Sequence, residues 1–215
     1  MAGIQVVNTS DLNITDCEID SMGTALLINP GSGQSVSNLR ALDTYFDGGP
    51  TGSHHVAGVV ANPTGSGSVV NLLFTGCWAS GQSGSGFTFQ NSGTGAVTGV
   101  ELIGCQALGN SGAGIALGSG SNISAIKISG GIFCGNAYGI YVNPGVTDFV
   151  IEGVRAGNYT GGANGIGIVI ASGSSDRYII TNNLLHGNTS GAISDAGTGT
   201  NKFVGGTSGA GANLQ

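Results

Sequence analysis

The chain has 215 residues, 40% of them hydrophobic and only 7% charged, and 43 of them are glycine. The hydrophobic share excludes a disordered chain, glycine without a Gly-X-Y period excludes collagen, and the scarcity of Glu and Lys argues against helices. Five basic residues against eleven acidic ones leave a net charge of −6, so nothing is available to grip a phosphate backbone and nucleic acid is not expected as a partner.

In chain order, one six-residue template recurs: Leu-Asn-Ile-Thr-Asp-Cys at 12–17, Leu-Leu-Phe-Thr-Gly-Cys at 72–77 and Val-Glu-Leu-Ile-Gly-Cys at 100–105. Ile-Lys-Ile-Ser-Gly-Gly at 126–131 and Tyr-Ile-Ile-Thr-Asn-Asn at 178–183 repeat it. With the second apolar residue of each as an anchor, the series is Ile14, Ala41, Phe74, Leu102, Ile128, Ile151 and Ile180, spaced by 27, 33, 28, 26, 23 and 29 residues. Two residues before each anchor stands another apolar residue, from Leu12 to Tyr178, which is the period of a half-buried strand. Three after it comes a column of mostly small residues, Cys17, Thr44, Cys77, Cys105, Gly131, Val154 and Asn183; five after it come Ile19, Phe46, Ala79, Ala107, Phe133, Ala156 and Leu185. Thirteen after it, Leu27, Phe87, Ile115, Tyr141 and Ile193 predict a second inward strand on each coil. Gly109-Asn110, Gly135-Asn136, Gly157-Asn158 and Gly187-Asn188 predict corners where Asn amides bond up the stack.

A repeat of this length marks a solenoid. The expectation is an all-β stack of about seven coils over residues 1–205, followed by a Gly-rich tail over 206–215. Cys77 and Cys105 fall on adjacent coils with side chains pointing in parallel, which disfavours a disulfide; free, buried thiols are expected in this column, Cys17 included. No CxxC or Cys/His spacing supports a zinc or haem site, and no metal or cofactor is expected. No apolar run is long enough to span a membrane, and residues 1–10 lack the cationic start and apolar stretch of a signal peptide. That start implies synthesis in a cytosol or a piece cut from something longer.

The phrase Ile-Thr-Asn-Asn-Leu-Leu-His-Gly-Asn at 180–188, with Gly-Ala-Ile-Ser-Asp-Ala-Gly-Thr-Gly-Thr-Asn at 191–201, resembles the right-handed parallel β-helix repeats of the pectate-lyase-like superfamily. Within it the chain is most similar to phage tailspike and tail-fibre domains, a resemblance that covers roughly residues 4–205. It implies a polysaccharide as ligand, a homotrimer or other virion chains as partners, and a place on a virion surface. It does not imply a reaction, because the same repeats occur in lyases, hydrolases, epimerases and non-catalytic members. No N-terminal capping helix is visible, so the first coil offers an open edge that another domain or chain would cover.

Charge is so sparse that its placement is informative. Two after the anchors come Asp16 and Asp43, six after them Asp20 and Asp47, and four after them Glu18, Tyr45 and Trp78. Carboxylates on adjacent rungs would lie about 5 Å apart, near the separation of a glycosidase pair, which makes Asp16, Asp20, Asp43 and Asp47 the candidate catalytic acids. Tyr45 and Trp78 offer flat faces for sugar rings; Glu18, Arg40 and the turn residues His54 and His55 complete the candidate glycan contacts. The plainer alternative is a set of solvated acids on one end of the rod. Glu101 and Lys127, on adjacent coils, predict a cross-strand ion pair. Leu73, Ile132, Val150, Ile179 and Leu184 predict an outward apolar stripe of the kind that marks a protein interface.

The functional expectation is therefore a β-helix module of a tailspike-type virion surface protein that recognises a bacterial surface polysaccharide. Whether it also depolymerises that polysaccharide stays open. The alternatives are a free-standing polysaccharide lyase or glycoside hydrolase, and a virion decoration protein with no ligand.

Overall fold

A computed structural model describes residues 2–20, 23–47, 56–118, 122–159, 161–208 and 211–215, and no helix occurs among them. The chain winds into a right-handed parallel β-helix of about seven turns, as its repeat predicts. One nine-stranded sheet stacks Thr9–Ser10 and Asn13–Thr15 under Ser35–Leu42, Ser68–Thr75, Val97–Ile103, Ile123–Ser129, Val146–Glu152, Asp176–Thr181 and Lys202–Val204. An eight-stranded sheet stacks Ala2–Val6, Thr24–Ile28, Ala57–Ala61, Phe87–Phe89, Ala113–Leu117, Tyr138–Val142, Ile166–Gly173 and Gly191–Gly197. A narrow third sheet is built on Gln106–Leu108 and Ile132–Cys134 and is extended on either side by single-residue parallel bridges.

The anchors pair with one another rung by rung, from Ile14↔Ala41 to Ile151↔Ile180, and the series runs one rung further to Val204. Each strand of the nine-stranded sheet alternates, except for one kink three residues before the anchor. There Asp11, Asn38, Asn71, Gly99, Ala125, Asp148 and Arg177 all have positive φ. A second left-handed column, two residues after the anchor, holds Asp16, Asp43, Gly76, Gly104, Gly130, Gly153 and Asn182 and turns the chain into the narrow sheet. Asp, Asn and Gly tolerate this conformation best, which is why these letters fill the two columns at every position but Ala125 and Arg177.

Between the sheets lies a core of apolar rows. Phe74 sits at its centre, edge-on to Phe46, Phe87 and Phe89 with ring centroids 6.3, 5.9 and 5.9 Å away. One corner of the core is a buried polar ladder. Gln82, Asn110, Asn136, Asn164 and Asn188 pass hydrogen bonds up the stack: Asn136 Oδ1 accepts from the backbone N–H of Asn110 at 2.9 Å, and Asn164 Oδ1 from that of Asn136 at 3.0 Å. Their amide groups also donate to carbonyls of the facing strand, so the buried corner leaves few polar groups without partners.

This ladder corrects one corner of the sequence reading. Asn164, not Asn158, is the fourth rung, because Asn136 follows Phe133 by three residues whereas Asn164 follows Ala156 by eight. Five extra residues in that coil leave Asn158 exposed at the surface, while Gly157 stays buried. Leu27 and Tyr141 also differ from the reading: they lie in the outward row Gln5, Leu27, Val60, Thr88, Ala116, Tyr141, and Leu26 and Ile140 face inward instead. The count of thirteen slips by one where the intervening turn is a residue shorter. Cys17 is exposed, since it belongs to the end coil, while Cys77, Cys105 and Cys134 are buried and all four are free. Lys127 pairs with Glu152 on the following coil at 3.4 Å, although Glu101 is its register partner on the preceding one. The predicted apolar stripe is two rows on different sheets: Leu73, Val150 and Ile179 on the nine-stranded sheet, Ile132 and Leu184 on the narrow one. Finally, residues 211–215 still contact the stack. Asn213 is fully buried and accepts from the backbone N–H of Asn183 at 3.2 Å, and Leu214 bridges to Leu184, so this segment adds a partial rung.

The C-terminal end of the core is sealed by a polar cluster. Asp195 stands in register above Ile170, in an inward row that is otherwise apolar. It accepts the Tyr178 hydroxyl at 2.7 Å and pairs with Lys202 at 3.0 Å, while Tyr178 stacks on Phe149 at 4.7 Å. Burial, with the adjacent Asp195 carboxylate, pushes the Tyr178 phenol up to about 12.

Three outcomes follow. Phe74→Ala should destabilise the fold by about 3–5 kcal/mol in denaturant titration, the scale of a large cavity in a core that cannot collapse; a loss below about 1 kcal/mol would refute the packing described. A thiol reagent should label one cysteine, Cys17, in the native protein and the other three only on unfolding; labelling of Cys77 or Cys105 in the folded state would contradict their burial. Because the Tyr178 phenol ionises later when folded than when unfolded, where tyrosine titrates near pH 10, its contribution to stability is complete below about pH 10 and is lost as pH rises towards 12. Ultraviolet titration should show one of the five tyrosines ionising last, and Tyr178→Phe should remove that late step.

Candidate functional site

The narrow sheet presents one unbroken outward row: Glu18, Tyr45, Trp78, Gln106, Ile132, Arg155, Leu184 and Leu214, each bridged in parallel to the next. Its direction follows from its neighbours. The residues on either side of it in the strand, such as Thr44 and Phe46 or Cys77 and Ala79, are buried, so the residue between them must face solvent.

At one end of this row the Tyr45 and Trp78 rings stack, with centroids 6.0 Å apart and planes inclined by 28°. Tyr45 is 50% exposed and Trp78 half-buried. The Trp78 indole N–H donates to the Ser80 hydroxyl, which fixes the ring's orientation. The pair is a flat apolar platform with polar edges, about two rungs long.

The acids surround this platform. Asp16 and Asp43 occupy the left-handed corner column, and the Asp43 carboxylate leans over Gly76, filling space that a side chain there would need. Gly76 precedes Trp78 by two residues, so Asp43 reaches towards the platform's own coil. Glu18 is the rung before Tyr45, exposed, and Asp20 and Asp47 stand two residues beyond Glu18 and Tyr45. At Asp16 and Asp43 the residue type serves the fold, since Asp suits the positive φ of the corner. Among the described residues no group of three or more His, Cys, Asp or Glu side chains is placed to hold a metal ion.

Arg40 is not part of this face. It projects from the nine-stranded sheet into a cleft of about 290 Å³ lined by Asn38, Asn71, Leu73 and Glu101, beyond the corner that carries Asp43. His54 and His55 lie outside the described residues.

The opposite end of the row carries a feature that the spacing did not reveal. Arg155, Tyr159, Leu184 and His186 line a cleft of about 330 Å³, with the Arg155 guanidinium 4.9 Å from the centre of the Tyr159 ring. The loop that presents Tyr159 is the five-residue enlargement that displaces Asn158 from the ladder, and it is closed by a bond from the Gly162 N–H to the Tyr159 carbonyl at 2.8 Å. The signal was present as an irregular gap between Ala156 and its corner asparagine.

No protein-family model matches the sequence, and no curated protein matches it. Solved structures do match. The A-module of mannuronan C-5 epimerase AlgE6 from Azotobacter vinelandii superposes with a TM-score of 0.63 at 18% identity, over 91% of this chain and 45% of that one. The A-module of mannuronan C-5 epimerase AlgE4 from the same organism gives a TM-score of 0.42 at 15% identity, over 93% of this chain and 59% of that one. The chain thus spans less than half the length of the first, and what the two share is the parallel β-helix.

Proposed function

We propose that this chain is a polysaccharide-recognising β-helix module, and that the polysaccharide lies along the outward row of the narrow sheet with sugar rings on the Tyr45–Trp78 platform. The stacked, partly exposed pair carries the reading. Exposed aromatic faces are costly in water unless something apolar covers them, and a pyranose offers an apolar face with hydroxyls at its rim. With the two rings 6.0 Å apart along the row, such a chain would run parallel to the rod axis. The epimerase A-modules of the same fold are named for a polysaccharide substrate, which agrees with this class of ligand.

The finer reading is a tailspike-type module on a virion surface that recognises a bacterial polysaccharide. It rests on the likeness of the repeats at 180–201, and the exposed apolar residues Ile179 and Phe203 supply a face that a homotrimer would bury. Cleavage of the bound chain would fall to Asp43 and Asp47, the acids beside the platform.

Trp78→Ala should weaken binding of the cognate polysaccharide by about 1–2 kcal/mol, the scale of a lost aromatic contact, with thermal stability little changed because the ring faces outward. Asp43→Asn keeps a residue that accepts positive φ, so the fold should persist. If the wild type releases reducing ends, this variant or Asp47→Asn should abolish the release while retaining binding. Binding unchanged by Trp78→Ala would overturn the platform as the site.

A further inference from the structure

The five basic residues divide into two groups. Lys127, Arg177 and Lys202 are neutralised by Glu152 at 3.4 Å, Asp148 at 2.6 Å and Asp195 at 3.0 Å, and the Arg177 guanidinium holds the Asp148 carboxyl below the usual range. Arg40 and Arg155 pair with no carboxylate among the described residues. Of these two, only Arg155 stands on the row that carries the Tyr45–Trp78 platform, three rungs beyond Trp78 through Gln106 and Ile132. At one rung per ~4.8 Å that is a separation of about 14 Å.

Arg155 is also held ready. The Tyr159 ring beneath its guanidinium limits the side chain's freedom at the wall of the cleft that both residues line. Leu184 supplies an apolar wall and His186 a hydrogen-bonding edge, in a volume typical of small-ligand clefts. The charges along the row are ordered. Asp16, Glu18, Asp20, Asp43 and Asp47 crowd the platform end, where a sugar carboxylate would be repelled within the screening length of about 8 Å. Beyond Trp78, the row itself carries no acid.

We propose that the Arg155–Tyr159–His186 cleft is a subsite for a carboxylate-bearing sugar. The carboxylate sits on the guanidinium in a charge-assisted, two-pronged contact, and the sugar's apolar face lies on Tyr159 and Leu184. This rests on the polysaccharide reading above and deepens it. The ligand is a sparsely charged heteropolysaccharide, with neutral rings at the platform and an acidic unit about 14 Å away, rather than a uniform polyanion.

The test is an NMR titration of the isotopically labelled full chain with methyl glucuronoside, methyl glucoside and inorganic phosphate, reading the Arg155 Nε–H, the His186 ring and the Trp78 indole N–H. Methyl glucuronoside should shift the Arg155 and His186 signals saturably, and methyl glucoside should leave them in place. Both sugars should shift Trp78. Arg155→Gln should weaken the glucuronoside response at His186 about tenfold or more, the loss of one charge-assisted contact, with the Trp78 response to glucoside unchanged. Equal shifts from both sugars at Arg155, no shift from either, or equal competition by phosphate would overturn the subsite while leaving the platform standing. A Trp78 signal that neither sugar moves would instead overturn the polysaccharide reading.

Discussion

A parallel coil that pairs in register with its neighbours can place an outward side chain only above its counterpart one rung away. That constraint organises the whole molecule. It turns single positions of the repeat into columns, so each column must satisfy one environment many times over. Inward columns fill with Val, Ile, Leu and Phe because each rung buries the one before it. The two left-handed columns fill with Asp, Asn and Gly because each rung makes the same bend. The buried corner fills with Gln82 and four asparagines because each amide completes backbone bonds of the preceding coil.

At Arg177, where a column departs from its preferred letters, a neighbour compensates. In the kink column of the nine-stranded sheet, Asn38 donates to Asp11 at 3.1 Å and Asn71 to Asn38 at 3.2 Å. Six rungs along from Asp11, Arg177 holds the same left-handed conformation without the short amide that favours it. There the bidentate contact to Asp148 on the preceding rung takes the place of the amide chain. The ends of the stack are treated differently from its middle: Asp195, Tyr178 and Lys202 close the C-terminal end with polar groups that are fully partnered.

Function on such a rod belongs to the columns that face water, and here the narrow sheet offers the most varied of them. Its row passes from an acid through two stacked aromatics and an amide to an arginine within six rungs. A linear polymer laid along the axis would meet these groups in a fixed order at a fixed spacing. The rigidity that in-register pairing imposes is thus also what would let the surface read a repeating chain.

Much of this was legible in the chain itself. The recurrence of Leu12, Ile14 and Cys17 at Leu72, Phe74 and Cys77 dictated parallel stacking, because apolar residues at that spacing have no other way to be buried together. The outward row Glu18, Tyr45, Trp78, Gln106 followed from the same count. What the count could not supply was anything decided by turn length. Five extra residues after Ala156 moved the ladder from Asn158 to Asn164 and set Tyr159 beside Arg155. One residue fewer exchanged Tyr141 for Ile140 at the core, and a corner separates Arg40 from Tyr45 and Trp78, with which it was grouped as a glycan contact. Periodicity is local and survives in the sequence, so the chain determined its coils and the direction of the residues in its anchor strands. The partners of its scarce charges, and the surfaces that its loops bring together, depend on how unequal turns close across neighbouring coils, and only the folded stack decided those.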